Sequence, residues 1–213
     1  MKHPPDSGAT QDAPALLDSA AGLGIDLDRN QVEALMSFEL LLLDRAIPLG
    51  LVARGDRLMV RTRHILDSLR AVPALDTSDI EALDLGSGAG LPGIVVAIAR
   101  PCLRVGLVEA RRRKAAFLEL AVERLGLPNV AVLAQPANKL DGVVDVCFAR
   151  ALAPLSGAWE LARQLLRPAG RLVYFGGQGF RVPDQLPPGA RSFRLLRAPA
   201  LASSGPLVIM TRQ

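Results

Sequence analysis

The residues best suited to chemistry lie in one run, Leu83-Asp84-Leu85-Gly86-Ser87-Gly88-Ala89-Gly90-Leu91-Pro92-Gly93. A short apolar stretch precedes the glycines and a helical pattern follows them, the context in which a glycine loop can hold a nucleotide. Gly86 permits a sharp turn, while Gly88 and Gly90 let the backbone approach a ligand closely. Pro92 has the fixed φ of a first helical residue and gives up an N–H that would go unpaired there. The spacing is G-x-G-x-G, and Leu91 stands where the dinucleotide fingerprint requires glycine. The loop therefore suits a nucleoside without pyrophosphate, such as S-adenosylmethionine, better than NAD. Asp84, two residues ahead, could bind or orient the cationic end of such a cofactor. Glu109 closes the next apolar run and can accept hydrogen bonds from both ribose hydroxyls, the role of an acid about 20 positions after the loop. A structural turn and a solvated helix cap are the plainer readings of the loop and the acid, and their pairing argues for adenosine.

Short apolar runs alternate with amphipathic stretches around these residues: Ile80–Leu85 then Pro92–Ala99, Arg104–Glu109 then Arg111–Leu125, Val130–Ala134, Val143–Phe148 then Leu155–Leu166, and Arg171–Phe175. Such alternation predicts a parallel sheet covered on both faces. Ser192–Arg197 and Pro206–Thr211 follow as two strands with no helix between them. The expected fold class is α/β, Rossmann-like, with a mostly parallel seven-stranded sheet whose last strand is antiparallel. Residues 15–75 read as a helical extension packed on the core and 76–213 as the α/β domain. In the extension, Asp28 and Gln31 form a capping box ahead of Val32, Leu35, Met36, Leu40 and Leu43. Pro48 and Gly50 end that helix, and another is expected from Arg57 to Val72. Residues 1 to about 14, rich in Pro, Ser, Gly and Asp, are expected to lack structure.

The chain has 213 residues, half of them hydrophobic, which suffices for one buried core. The formal charge is +4, and Lys2, Lys114 and Lys139 are the only lysines among the 25 cationic residues. Arginine's planar fork suits phosphate and RNA. Cys102 and Cys147 sit in apolar runs without metal-ligand spacing and are expected to be buried free thiols. With His3 and His64 as the only histidines, no metal site is expected. The N-terminus lacks the apolar stretch of a secretory leader, and no run is long enough to span a membrane. A cytoplasmic monomer is expected.

Three segments in order, Arg63-His64-Ile65-Leu66-Asp67-Ser68-Leu69, Asp84 to Ile94, and Ala149-Arg150-Ala151-Leu152-Ala153-Pro154-Leu155, resemble the small-subunit rRNA methyltransferases of the glucose-inhibited-division protein B family. The resemblance runs from about Asp28 to the C-terminus. It implies a class I S-adenosylmethionine methyltransferase acting on N7 of one guanine in 16S rRNA, with the rRNA or the small ribosomal subunit as partner. It also implies that Gly86 and Leu91 line the cofactor site, that Ala137 and Asn138 hold adenine, that Glu109 holds the ribose and that Arg150 faces cofactor and substrate. Asn138 stands where the family carries an acid, and Phe175 where it carries a lysine. Leu43-Asp44-Arg45 and Ile47–Leu51 replace a Trp-Asn pair followed by Asn-Leu-Thr.

A target base must be presented outside its stack, so cations around the cleft would hold its flanking phosphates. Candidates are Arg54, Arg57, Arg61 and Arg63, then Arg111, Arg112, Arg113 and Lys114. Arg57 and Arg61 would share a helical face. His64 reads as a hydrogen-bonded packing residue beside Asp67 and Ser68, and Trp159 and Phe117 as core rather than stacking platforms. No catalytic residue is assigned. A small-molecule methyltransferase and a cofactor-binding relative without catalysis remain alternatives on the same fold.

Overall fold

A computed structural model describes residues 7–198, 201 and 204–213. The strands are β1 (Glu81–Leu85), β2 (Arg104–Val108), β3 (Val130–Leu133), β4 (Val144–Arg150), β5 (Leu166–Phe175), β6 (Ala190–Leu196) and β7 (Leu207–Arg212). They form one sheet in the order β3-β2-β1-β4-β5-β7-β6. The first five run parallel, and β7 lies antiparallel between β5 and β6. The strand order reverses beside β1, so β1 and β4 open a crevice at their C-terminal ends, where open α/β sheets take ligands. β5 starts at Leu166, earlier than the apolar pattern indicates, because Val144 pairs with Leu166 before the register jumps to Val146 and Arg171.

Strand residues alternate between two buried layers, as the two-residue period requires. Ala82, Val105, Leu107, Val146 and Phe148 pack toward α4 (Gly93–Ala99) and α5 (Arg112–Leu125). Leu83, Leu85, Val108 and Cys147 pack toward α6 (Leu155–Leu165). Every residue of α4 is buried, and α5 ends at Gly126 in the left-handed conformation, the usual helix stop. Trp159 and Phe117 are core residues, and the Trp159 indole donates to the carbonyl of Pro188 (2.9 Å).

The helices before the sheet share the α4–α5 core through Leu16, Leu35, Phe38 and Leu69. α1 (Ser7–Ala21) is helical where disorder was expected up to residue 14; residues 1–6 lie outside the described residues. Leu16 and Ala20, one turn apart and fully buried, anchor it despite Pro14, which removes only one helical N–H. α2 (Arg29–Leu41) carries the complete capping box: Asp28 accepts from the Gln31 N–H, and Gln31 Oε1 accepts from the Asp28 N–H, each at 2.8 Å.

The expected helix over Arg57–Val72 is instead wound three ways. Arg54–Met59 is a 3₁₀ segment, Arg61–Leu66 is a π-helix, and α3 (Asp67–Leu69) is a single α-helical stretch. This winding buries Ile65, Leu66 and Leu69 against the core, so tertiary packing overrides the regular period. The Leu91–Pro92 peptide is cis, and Pro92 is the N-cap of α4 rather than its first helical residue. Cys147 is buried as expected, but Cys102 is exposed, because it falls in the turn between α4 and β2. No helix among the described residues is long and apolar enough to cross a membrane.

Candidate active site

The loop after β1 is stitched to the end of β2. The Val108 carbonyl accepts from the Gly86 and Ser87 N–H groups (2.9 and 3.0 Å), and the Ser87 hydroxyl donates to the Asp84 carbonyl (2.8 Å). Gly86, Gly88 and Gly90 have φ of 73°, 58° and 83°, a region that favours glycine. A Cβ on Gly86 would stand 2.7 Å from Leu152 Cδ1, and one on Gly90 2.5 Å from Ile94 Cδ1. At Gly88 the added atom would meet nothing nearer than the Gly86 carbonyl oxygen at 3.7 Å and Lys114 Nζ at 4.0 Å. Two glycines thus fit the loop tightly against the protein, and at the third an added atom would make only ordinary contacts.

Asp84 is 1% exposed, and its Oδ2 accepts from the Gly93 N–H (3.0 Å), anchoring the start of α4. Its carboxyl is turned inward, so its visible work is on the loop backbone. Burial pushes its pKa up to about 7, against the pull of the Gly93 N–H. Glu109 is buried too; one carboxylate oxygen accepts from the Gly88 N–H (3.1 Å) and the other from the Arg111 N–H (2.9 Å). Its own N–H donates to the Leu133 carbonyl of β3 (3.1 Å). A carboxylate has about four acceptor sites, so roughly two remain for ribose hydroxyls. Leu91 is half-buried on the α4 side of the loop. Ala137 and Asn138 lie after β3 in a 3₁₀ turn (Ala137–Lys139), Ala137 packed on the α6-side core and Asn138 exposed.

Arg150, at the end of β4, reaches the helical extension. Its guanidinium donates to the Arg63 carbonyl (2.7 Å) and the Ser68 hydroxyl (3.3 Å) and pairs with Asp67 (3.2 Å). His64 Nδ1 lies 3.3 Å from the same guanidinium. Arg70 pairs with the other oxygen of Asp67. The Phe175 ring sits under both arginines, its centroid 6.0 Å from the Arg70 and 5.7 Å from the Arg150 guanidinium carbon. A lysine at 175 would add a third cation here; phenylalanine offers the two guanidiniums a π face instead. Asp67 and Ser68 were not foreseen as partners of this arginine. The Asp67–Arg70 spacing hints only at a local pair.

The candidate cations divide. Arg61 forms a two-pronged contact with Glu39 (2.9 and 2.8 Å), and Arg63 pairs with Asp56 (2.6 Å). Arg57 donates to the Leu43 carbonyl (3.3 Å), and the π-winding removes the expected face it would share with Arg61. Arg54, Arg111, Arg112 and Arg113 are exposed, the last three at the start of α5 beside Glu109, with Lys114 half-buried behind them.

Backbone comparison identifies the fold. A mutant of MtNAS in complex with S-adenosylmethionine aligns with a TM-score of 0.57, covering 98% of this chain and 80% of that one at 18% identity. A SAM-dependent methyltransferase from Aquifex aeolicus aligns at 0.54, covering 78% and 97%, also at 18% identity. The fold is that of the S-adenosylmethionine-dependent methyltransferases. Sequence narrows it further. Residues 31–182 match the family model of rRNA small subunit methyltransferase G. Ribosomal RNA small subunit methyltransferase G of Stenotrophomonas maltophilia is 41% identical over 76% of this chain and 78% of its own length. That of Burkholderia thailandensis is 37% identical over 85% and 83%. The chain belongs to this family and is an S-adenosylmethionine-dependent methyltransferase.

Proposed function

We propose that the chain methylates N7 of a guanine in 16S rRNA, within or on the way to the small ribosomal subunit. The observation that carries this is the juxtaposition at the ends of β1, β2 and β4. A glycine loop closed by a buried acid follows β1, and an arginine tied to the helical extension ends the neighbouring β4. A ribosomal substrate implies a cytoplasmic protein.

When bound, the cofactor supplies an electrophilic sulfonium methyl. The Gly86–Gly90 backbone would accommodate its methionine and sugar, Glu109 would accept from the ribose hydroxyls, and Ala137 and Asn138 would border adenine. An amide at 138 still accepts from the adenine amine, though without a carboxylate's charge. Asp84 acts at one remove, fixing the loop through Gly93. Guanine N7 carries an in-plane lone pair and no proton at neutral pH, so the chain need supply no general base. Its contribution is to orient the base, and alignment of reacting atoms contributes up to about 7–11 kcal/mol where geometry is ideal. Arg54, Arg111, Arg112 and Arg113 are the cations best exposed for phosphate contacts; Arg61 and Arg63 already have acidic partners.

Incubation with labelled S-adenosylmethionine and either naked 16S rRNA or isolated small subunits tests the reading. Label is expected in N7-methylguanine, with turnover falling steeply as salt rises. No label in either RNA would refute it. Turnover on small molecules alone, indifferent to salt, would establish the rival reading that the Phe175 and Asn138 replacements favour.

A further inference from the structure

His64 sits where the helical extension meets β4, and its two ring nitrogens face opposite kinds of group. Nε2 is 3.1 Å from Asp56 Oδ2, and Nδ1 is 3.3 Å from the Arg150 guanidinium. A guanidinium only donates, so Nδ1 must accept and the ring proton must sit on Nε2, donating to Asp56. The geometry therefore fixes a neutral ring and one tautomer. We propose that His64 is a positioning residue for methyl transfer, orienting Arg150 through Nδ1, and that a second ring proton turns that arginine out of its present direction.

The groups around the ring support this. Asp56 faces it from the 3₁₀ segment, Arg63 is its neighbour on the π-helix, and Arg150 reaches it from β4. Asp67 of α3 and Arg70 just after it act on it through Arg150. Asp56 also accepts from Arg63, so its charge is shared and only partly available to stabilise a cationic ring. Burial and then the Arg150 charge hold the ring's pKa below the ordinary histidine value, against Asp56. Protonating Nδ1 would turn an acceptor into a donor and place two cations in contact. Arg150 would keep Asp67, Ser68 and the Arg63 carbonyl, but not its present direction.

The inference rests on the proposed reading for its kinetic consequence, and two variants separate the roles of the ring nitrogens. In His64→Asn the side-chain oxygen can replace Nδ1 as acceptor; in His64→Gln the amide nitrogen can replace Nε2 as donor, leaving nothing at Nδ1. Methyl transfer to small subunits is measured from pH 8 to pH 5.5, with melting curves at each pH to confirm folding. His64→Gln should lose about tenfold or more in kcat at pH 8, the scale of one hydrogen bond to a charged group, and the gap to wild type should narrow as pH falls. His64→Asn should restore most activity at pH 8, and its ratio to wild type should climb as pH falls. Asp84 titrates nearby but is common to all three proteins and cancels in the ratio. Equal behaviour of the two variants, or a flat ratio, would overturn the proposal. A second arm needs no turnover: ¹⁵N spectra of labelled histidine should show the Nε2–H tautomer, and Arg150→Ala should raise the pKa of His64. An Nδ1–H tautomer, or a pKa unmoved by Arg150→Ala, would also overturn it. Absence of methylation with the expected spectra would instead strike the functional reading alone.

Discussion

Asp84 is the residue whose buried charge has the clearest consequence. Its native pKa of about 7 lies above the ordinary carboxylate value of 3.8, so between those pH values the folded chain holds a proton that the unfolded chain releases. Its contribution to stability is therefore present at low pH and lost as pH rises toward 7. Asp84→Asn keeps an acceptor for the Gly93 N–H and cannot ionise. Urea unfolding should show the variant gaining on wild type from pH 5 to pH 8, and a constant difference would contradict the assignment. The left-handed turns at the three glycines and the placement of Glu109 beside the loop were legible because each depends on local spacing. The inward turn of the Asp84 carboxyl was not, since a strand's alternation does not say whether its final acid meets solvent or the cap of the next helix.

At the scale of elements, Gln31 does more than close its own capping box. Its Nε2 also donates to the Ile98 and Ala99 carbonyls (3.1 and 3.2 Å), which lie in the last turn of α4 and would otherwise lack helical partners. One side chain thus finishes two helices and ties the extension to the cofactor-loop helix. Asp28→Ala should cost about 1 kcal/mol, the usual loss of an N-cap, and Gln31→Ala measurably more. Equal losses in chemical denaturation would mean that the bonds to α4 contribute nothing. The capping box and the strand sequence could be read from S/T/D-x-x-Q spacing and apolar runs. The π-winding of Arg61–Leu66 could not, because Ile65, Leu66 and Leu69 take their places from the core beneath them rather than from an intrinsic period.

Across the whole molecule, the site is assembled from segments far apart in the chain, with Arg150 bonded to Arg63 and Ser68 and Glu109 to Gly88. Motif order suggested that these segments belong together, but only the strand order, with β1 flanked by β2 and β4, shows how. The arginine-rich composition proved a coarse guide: Arg61, Arg63, Arg70, Arg150 and Arg171 are committed to acids within the fold. The loop after β1 and the acid after β2 would together form one cradle for an adenosyl group. Calorimetric titration with S-adenosylhomocysteine, on wild type and on Glu109→Ala, tests that cradle directly. Wild type should bind saturably and the variant should weaken about 10- to 100-fold, in line with hydrogen bonds to a charged group. No uptake by wild type at millimolar ligand, or equal affinity in the variant, would contradict it.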